Sequence, residues 1–387
     1  MSNIIINNCN ECTLDIPQKY ALKLYQELSV RHPNAFYLRG KIKEWDGKVH
    51  FLNKYGKFKI GLLPRVYKWC KEQKLKVNVI DKRLPIPNAK AVKTVGDFKL
   101  RSEQFKVLEQ ILANKIDNVP YYIGVLDLNV GFGKTLIMSA LYYSFGKKLR
   151  TLLITNDSDW LQQAKSEFKE YLPGEDITFV QGSKVTNWSN FSIGMVQSIS
   201  RNIKVYQREL AKVDMVLVDE ADLAGSKSYQ SVLSHLYNTR VRLGLSGTIY
   251  VSALKRDLLK NMNLEAYFGQ KISEFRLKDS IKKGYSTNVI VKLVDTEPWY
   301  LPSNEYIRDY KEEYDKYITN NVYGYKCVYD RLKKAIKYGN LPALIVCKHI
   351  KHCEKLYNYI YKELGSKYKI EYVHVNTNKV KRNQIMK

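Results

Sequence analysis

Two hydrophobic rhythms alternate along the chain. Short, nearly unbroken apolar runs read as strands covered on both faces: Ile123–Leu128, Thr151–Thr155, Met215–Val218 and Arg242–Leu245. Between them stand stretches of helical pattern, such as the apolar Leu136–Ser144. This alternation across residues 91–296 predicts a parallel α/β sheet. Residues 1–90 read as a small α+β region. In it Asp46-Gly47 signals a hairpin turn between two alternating strands, and Leu63–Lys74 reads as a helix with Pro64 in its first turn. The polar, Pro-bearing Asp81–Asn88 separates the two regions. After Thr296–Pro302 a third region, 297–387, shows a long helical stretch, a strand at Ala343–Cys347 and a further helix. Lys381–Lys387 reads as the opening of a helix with no C-cap, so either this region is a small domain or the chain is a fragment of a longer one.

A length of 387 residues allows two or three domains, and 45% hydrophobic with 26% charged residues places the chain among globular proteins. No apolar run approaches the roughly 18–20 residues that span a bilayer, and the N-terminus lacks the features of a signal peptide. Six scattered cysteines suggest no disulfide framework, and Cys9-x-x-Cys12 has no second Cys/His pair to complete a four-ligand zinc site. The expected setting is a reducing cytoplasm, that of a host if the protein is viral.

Charge changes the picture more. Lys and Arg number 64 against 38 Asp and Glu, a net +26 that suits a polyanion, most often nucleic acid. A Lys-rich surface kept for solubility is the plainer alternative. Residues 31–76 concentrate the excess, with 13 Lys and Arg against three acidic residues. Trp45 and Trp69, which interleave with these charges, read as core, whereas Lys48 and the other lysines of the strands are expected to face phosphates.

The clearest chemistry follows strand Ile123–Leu128. Asn129-Val130-Gly131-Phe132-Gly133-Lys134-Thr135 is a tight glycine-bearing turn that opens a helix. Gly131 and Gly133 let backbone N–H groups curl around phosphate oxygens, and the helix start adds its positive dipole end. Lys134 is placed to reach the β- and γ-phosphates and the Thr135 hydroxyl to bind Mg²⁺. Leu128 stands where the phosphate-loop pattern usually begins with Gly or Ala. The strand Met215–Val218 then ends in Asp219-Glu220-Ala221-Asp222. Carboxylates at the C-terminal end of a parallel strand lie at the mouth of the sheet. There Asp219 is the second candidate Mg²⁺ ligand, and Glu220 the group that polarises an attacking water.

These motifs and their neighbours resemble the superfamily-2 helicases. Leu100-Arg101-Ser102-Glu103-Gln104 matches the element ahead of the phosphate loop. The resemblance implies that Arg101 and Gln104 join Asn129, Val130, Gly131, Phe132, Gly133, Lys134 and Thr135 in holding ATP, with Gln104 reading the adenine. Thr151–Gln163 resembles the next motif, with Asn156-Asp157 in place of Pro-Thr, and Met195-Val196-Gln197-Ser198 the one after. Gln163, Gln197 and Ser198 are thereby implied to contact nucleic acid. Arg242–Thr248 matches the motif that couples hydrolysis to movement, which gives Ser246 and Thr248 that role. Ile281–Tyr285 resembles the segment that closes the first lobe. The Asp-Glu-Ala-Asp spelling invites an RNA helicase of the DEAD-box type, but Ser246-Gly247-Thr248 departs from it. The string Arg-Leu-Gly-Leu-Ser-Gly-Thr, with Glu44–Leu52 and Gly61-Leu62-Leu63 upstream, is similar to the UvsW-like phage DNA helicases, although these carry His where Asp222 stands.

The resemblance implies a RecA-like parallel-sheet helicase core with a small α+β N-terminal domain and an incomplete second RecA-like lobe. Tyr310–Asp330, Ala343–Cys347 and Val373–Asn376 stand for the first half of that lobe. It further implies an ATP- and Mg²⁺-dependent helicase or translocase on duplex or branched DNA, in recombination, repair or branch migration. The late arginine-bearing motif of the family is not among the 387 residues, so a missing half-lobe on a separate polypeptide is a partner to consider. The alternatives are an RNA helicase with the same engine and a truncated protein that grips ATP and nucleic acid without turnover. No membrane partner is expected.

Overall fold

The computed structural model describes residues 2–39, 44–182, 187–247, 249, 257–288, 291, 293 and 309–386. It divides into two compact units, 1–288 and 289–387. The first is built on seven parallel strands in the spatial order Ile177–Val180, Phe191–Met195, Thr151–Thr155, Met215–Asp219, Val241–Ser246, Ile123–Leu128 and Lys271–Phe275. Thr151–Thr155, Met215–Asp219 and Val241–Ser246 are buried at every position, as a sheet covered on both faces requires. One face packs on Leu108, Met138, Leu141 and Phe168, and the other on Ile199, Tyr206, Leu233 and Phe268. All four strands expected from the sequence form.

The order of the strands positions the site. The chain leaves Ile123–Leu128 through helix Lys134–Ser144 and returns as Thr151–Thr155, with two other strands lying between. Such a skip opens a crevice at the C-terminal ends of the strands.

The N-terminal region forms a mixed sheet in the order Lys57–Lys59, Glu11–Asp15, Ser2–Ile6, Val77–Asp81, in which only the last two strands run parallel. Helix Leu63–Glu72, with Pro64 in its first turn, buries Leu63, Val66, Trp69 and Cys70 against it. Cys9 and Cys12 are also buried. This core is not closed on itself: Tyr121, Ile123, Met262 and Ala266 of the neighbouring α/β region complete it. Arg65 pairs with Glu265 at 2.6 Å, and the Tyr121 hydroxyl donates to the Ile60 carbonyl at 2.9 Å. Arg242, only 1% exposed, donates to Asn10 Oδ1 at 2.7 Å. The Pro-bearing segment is pinned as well, because Asp81 pairs with both Arg83 and Arg240 at 2.8 and 3.3 Å.

The expected hairpin differs. Lys48–His50 pairs antiparallel with Ser29–Arg31, and residues 40–43, just before Glu44-Trp45, lie outside the described residues. Gly47 turns the chain at φ +80°, but a turn fixes only local direction. His50 is held there by Ser29, whose Oγ lies 2.7 Å from its Nδ1, and by Tyr25 of the preceding helix Gln18–Glu27, on which it stacks with centroids 4.5 Å apart. Trp69 is core as expected, whereas Trp45 is half-buried, with its Nε1 donating to the Lys48 carbonyl at 2.8 Å.

In the second unit the helices Val322–Lys337 and Ile350–Leu364 pack through Tyr325, Leu356 and Ile360. The expected strands Ala343–Cys347 and Val373–Asn376 do not form among the described residues. A strand exists only where a neighbour takes its backbone N–H and C=O groups, and neither segment has one. Leu344 and Val346 accordingly stand 81% and 83% exposed. No helix among the described residues is long and apolar enough to cross a membrane.

Gly61 tests whether the N-terminal sheet and the α/β region form one body. A Cβ there would lie 2.1 Å from the Glu265 carbonyl oxygen. Gly61→Val should destabilise the whole first unit by about 2 kcal/mol or more, seen as a single shifted transition in thermal or urea unfolding. An unchanged main transition would mean that the N-terminal sheet is a loosely attached body.

Candidate nucleotide-binding site

The site is assembled by strand register. Asp127 stands opposite Ser246, and Asp219 opposite Leu245, so three neighbouring strands end almost level. From that edge Ile123–Leu128 delivers the phosphate loop, Met215–Asp219 the acidic cluster and Val241–Ser246 the serine.

Gly131 and Gly133 take φ of +81° and +88°, a left-handed backbone that side chains resist. Nothing lies within 4 Å of a Cβ built on Gly131, so the loop leaves open space there, whereas a Cβ on Gly133 would strike Gln104 Nε2 at 2.7 Å. Gln104 is buried and works on this loop. Its Nε2 donates to the Phe132 carbonyl at 2.8 Å and its Oε1 accepts from the Arg101 N–H at 2.9 Å. The Arg101 guanidinium reaches the same carbonyl and lies over the rings of Phe132 and Tyr285, 5.6 and 4.4 Å from their centroids. Asn129 Nδ2 donates to the Val130 carbonyl at 2.8 Å, and its buried Oδ1 has no hydrogen-bond partner among the described residues. Val130 is exposed, Phe132 is buried and Thr135 is half-buried in the first helical turn.

Lys134 Nζ lies 3.4 Å from Glu220 Oε1 and 3.8 Å from Asp219 Oδ1. In this state the ammonium offsets two carboxylates, and an arriving phosphate would compete for the same charge. Burial pushes the Asp219 carboxyl up to about 6, partly against the pull of Lys134. Its Oδ1 has no hydrogen-bond partner among the described residues. Glu220 holds a left-handed backbone, φ +53° and ψ +53°, which is costly away from glycine and recurs at working sites. Ser246 Oγ donates to Glu220 Oε2 at 3.1 Å and lies 3.4 Å from Asp222 Oδ1. A hard divalent cation suits this donor set: a buried carboxylate oxygen without a hydrogen bond among the described residues, beside a half-exposed hydroxyl and an open loop.

The structure thus brings together Arg101, Gln104, the loop residues 129–135, Asp219, Glu220 and Ser246. Thr248 lies outside the described residues. Gln197 and Ser198 open helix Val196–Arg201 just past strand Phe191–Met195, on the same edge of the sheet, and Gln197 Nε2 donates to the Asn156 carbonyl at 3.4 Å. Gln163 is exposed on helix Ser158–Tyr171, where its amide bonds Glu167 at 2.7 Å. Lys48 opens the strand Lys48–His50 of the N-terminal region and is exposed.

Two features escape a motif reading. The buried Tyr229 hydroxyl, on helix Lys227–Leu233, has no hydrogen-bond partner among the described residues, and Asp219, Asp222 and Glu220 are the charges that act on it. No spacing in the sequence marks it. Glu103 pairs with Lys283 and accepts from the Tyr285 hydroxyl at 3.2 Å, which ties the start of helix Ser102–Ala113 to a segment 180 residues away. Both partners lie inside quoted motifs, but pairing across that distance is invisible in sequence. The Lys283 ammonium holds the Glu103 carboxyl down at about 2.

Residues 97–251 match the family model described as the res subunit of type III restriction enzymes. Over 239 residues the chain is 25% identical to the probable helicase D10 of Escherichia phage T5, covering 58% of this chain and 49% of that protein. Over 346 residues it is 24% identical to the ATP-dependent DNA helicase uvsW of Enterobacteria phage T4, covering 85% of this chain and 67% of that protein. The matches therefore span about half to two thirds of these relatives' lengths. A crystal structure of the UvsW helicase from bacteriophage T4 shares the fold at TM-score 0.56 and 18% identity, over 70% of this chain and 99% of that one. A second T4 UvsW structure gives 0.55 and 18%, over 100% and 77%. The resemblance carried by the motifs is borne out: the chain is similar to UvsW-like phage helicases and shares the α/β fold of the T4 UvsW structures.

Asp219 gives the site a measurable signature. The folded chain holds its proton more tightly than the unfolded chain, so this group's contribution to stability falls as pH rises from about 4 to about 6 and stays lost at pH 7. Asp219→Asn should therefore raise the stability of the nucleotide-free protein at pH 7 by about 2–3 kcal/mol, and the gain should vanish near pH 4. Thermal melts of both proteins from pH 4 to pH 8 check this.

Proposed function

We propose that the chain binds ATP with Mg²⁺ at the C-terminal edge of its seven-stranded sheet and uses ATP hydrolysis to move on or unwind DNA, on duplex or branched substrates. The observation that carries the reading is the convergence of Lys134, Asp219, Glu220 and Ser246, from three level strand ends, on one glycine-lined loop. Lys134 and the loop N–H groups cradle the phosphates, and Gln104 with Arg101 fixes the loop's shape and the adenine side. Thr135 and Asp219 would hold Mg²⁺, which supplies charge neutralisation on the phosphates. Glu220, released from Lys134 when a phosphate takes that charge, is free to orient water. Its bond to Ser246 links that event to the coupling motif. Gln197 and Ser198, on the same edge, are placed to meet the nucleic acid. DNA is favoured over RNA because the T4 relative is named a DNA helicase, and the net charge of +26 suits either polyanion. The proposed layout is an accessory nucleic-acid-binding region at 1–90, an ATP-binding lobe at 91–296 and part of a second lobe at 297–387.

The test is steady-state ATP turnover with duplex DNA, duplex RNA or neither. Lys134→Ala should reduce nucleotide affinity or turnover by about 100-fold or more while circular dichroism shows the fold intact, because among the described residues Lys134 is the cation paired with Asp219 and Glu220 at this loop. Unchanged affinity and turnover in the folded variant would sink the assignment. Stimulation by duplex RNA and not by DNA would move the substrate to RNA.

A further inference from the structure

We propose that Phe36 and Tyr37 form a stacking edge that takes unpaired bases at a DNA strand junction. The inference rests on the nucleic-acid reading above and names the part of the substrate that this surface receives. Phe36 and Tyr37 are 83% and 75% exposed, the two most exposed aromatic side chains among the described residues. They are adjacent in sequence, and their rings stand perpendicular with centroids 5.5 Å apart. Water is a poor neighbour for two large rings held side by side, so such a pair marks a surface that something else covers.

The pair is held in place by its support. It lies on the short helix Ala35–Arg39, which is anchored by buried Ala35, by the Ala35 N–H bond to the His32 carbonyl at 2.9 Å and by the Leu38 N–H bond to Asn34. His32 in turn donates its N–H to the Gly47 carbonyl at 2.9 Å and meets the edge of Trp45. Just before the helix, Arg31 stands opposite Lys48 on the paired strand Lys48–His50, and both are exposed. The carboxylate of Asp46 is already engaged by the Lys48 N–H at 3.0 Å and by His50 at 3.1 Å, leaving Glu44 as the other acid between the two strands. Exposed rings and exposed cations close by along the chain are thus the chemistry this corner offers, in the stretch where 13 Lys and Arg stand against three acids.

That chemistry selects an occupant. Cations grip the phosphodiester backbone, and aromatic faces take bases without regard to sequence. Inside a duplex the base faces are already stacked on one another and offer nothing to a protruding ring. Only unpaired bases, such as those at a fork or branch, satisfy both halves of the surface. Phe36 has no polar atom with which to read a base, which fits recognition of structure and not of sequence.

The full chain carrying F36A/Y37A, and a second variant F36W/Y37W, would be titrated by fluorescence anisotropy. One probe is a forked DNA with two unpaired arms, and the other a blunt duplex of the same paired sequence. A base–aromatic stack is worth roughly 5- to 100-fold in affinity, so the alanine variant should bind the fork at least about 10-fold more weakly and the blunt duplex within about 2-fold of wild type. The tryptophan variant should keep the fork preference. 2-Aminopurine at the first unpaired positions should change its emission on binding wild type and not on binding the alanine variant. Equal losses on both probes, or no loss on the fork, overturn the proposal. So does a wild-type chain that self-associates in sedimentation while F36A/Y37A stays monomeric, since the pair would then bind a second copy. Wild type that binds neither DNA would instead overturn the nucleic-acid reading itself.

Discussion

Everything the candidate site does depends on the register of three parallel strands. A parallel ladder fixes each residue's height against its neighbours, and here it sets Asp127 level with Ser246 and Asp219 level with Leu245. A slip of one residue would turn every side chain to the other face and pull Asp219 from beneath Lys134. The register is in turn enforced by burial, because Met215–Asp219 and Val241–Ser246 are buried at every position and Ile123–Leu128 at all but Asp127. The chemistry is held in place by a core that touches no ligand.

The same sheet explains why the N-terminal region belongs to the engine. Strand Val241–Ser246 ends in the serine that bonds Glu220, and near its start it carries Arg242, which reaches across to Asn10. Burial lowers the Arg242 guanidinium to about 10, and its Nε has no partner among the described residues. A charge so placed tolerates few arrangements of the surfaces around it. The two ends of one six-residue strand therefore join the N-terminal sheet to the candidate nucleotide site through one continuous strand.

Legibility followed the range of the interactions. The strands Ile123–Leu128 and Met215–Val218 were readable because burial on both faces writes an apolar run into the sequence. The phosphate loop was readable because its glycines and Lys134 act within seven residues. Pairing at a distance was not. Nothing in Lys48–His50 names Ser29–Arg31 as its partner, and nothing in Glu103 names Lys283. Ala343–Cys347 shows the converse: an apolar β-branched run expresses a preference, and without a neighbouring strand the preference has no hydrogen bonds to realise it. Tyr229 was silent because a buried hydroxyl leaves no periodic trace.

Gly61 bears on how such a protein can diversify. The family resemblance is densest over residues 97–251, yet the backbone at Gly61 sits against Glu265 and Ala266, outside that span on both sides. The strand Lys271–Phe275, which borders the phosphate-loop strand, also lies beyond it. The segment that similarity marks out is therefore not the segment that closes its own core. An exchange of the N-terminal sheet would have to carry with it the fit of Gly61 against the helix backbone at Glu265 and Ala266.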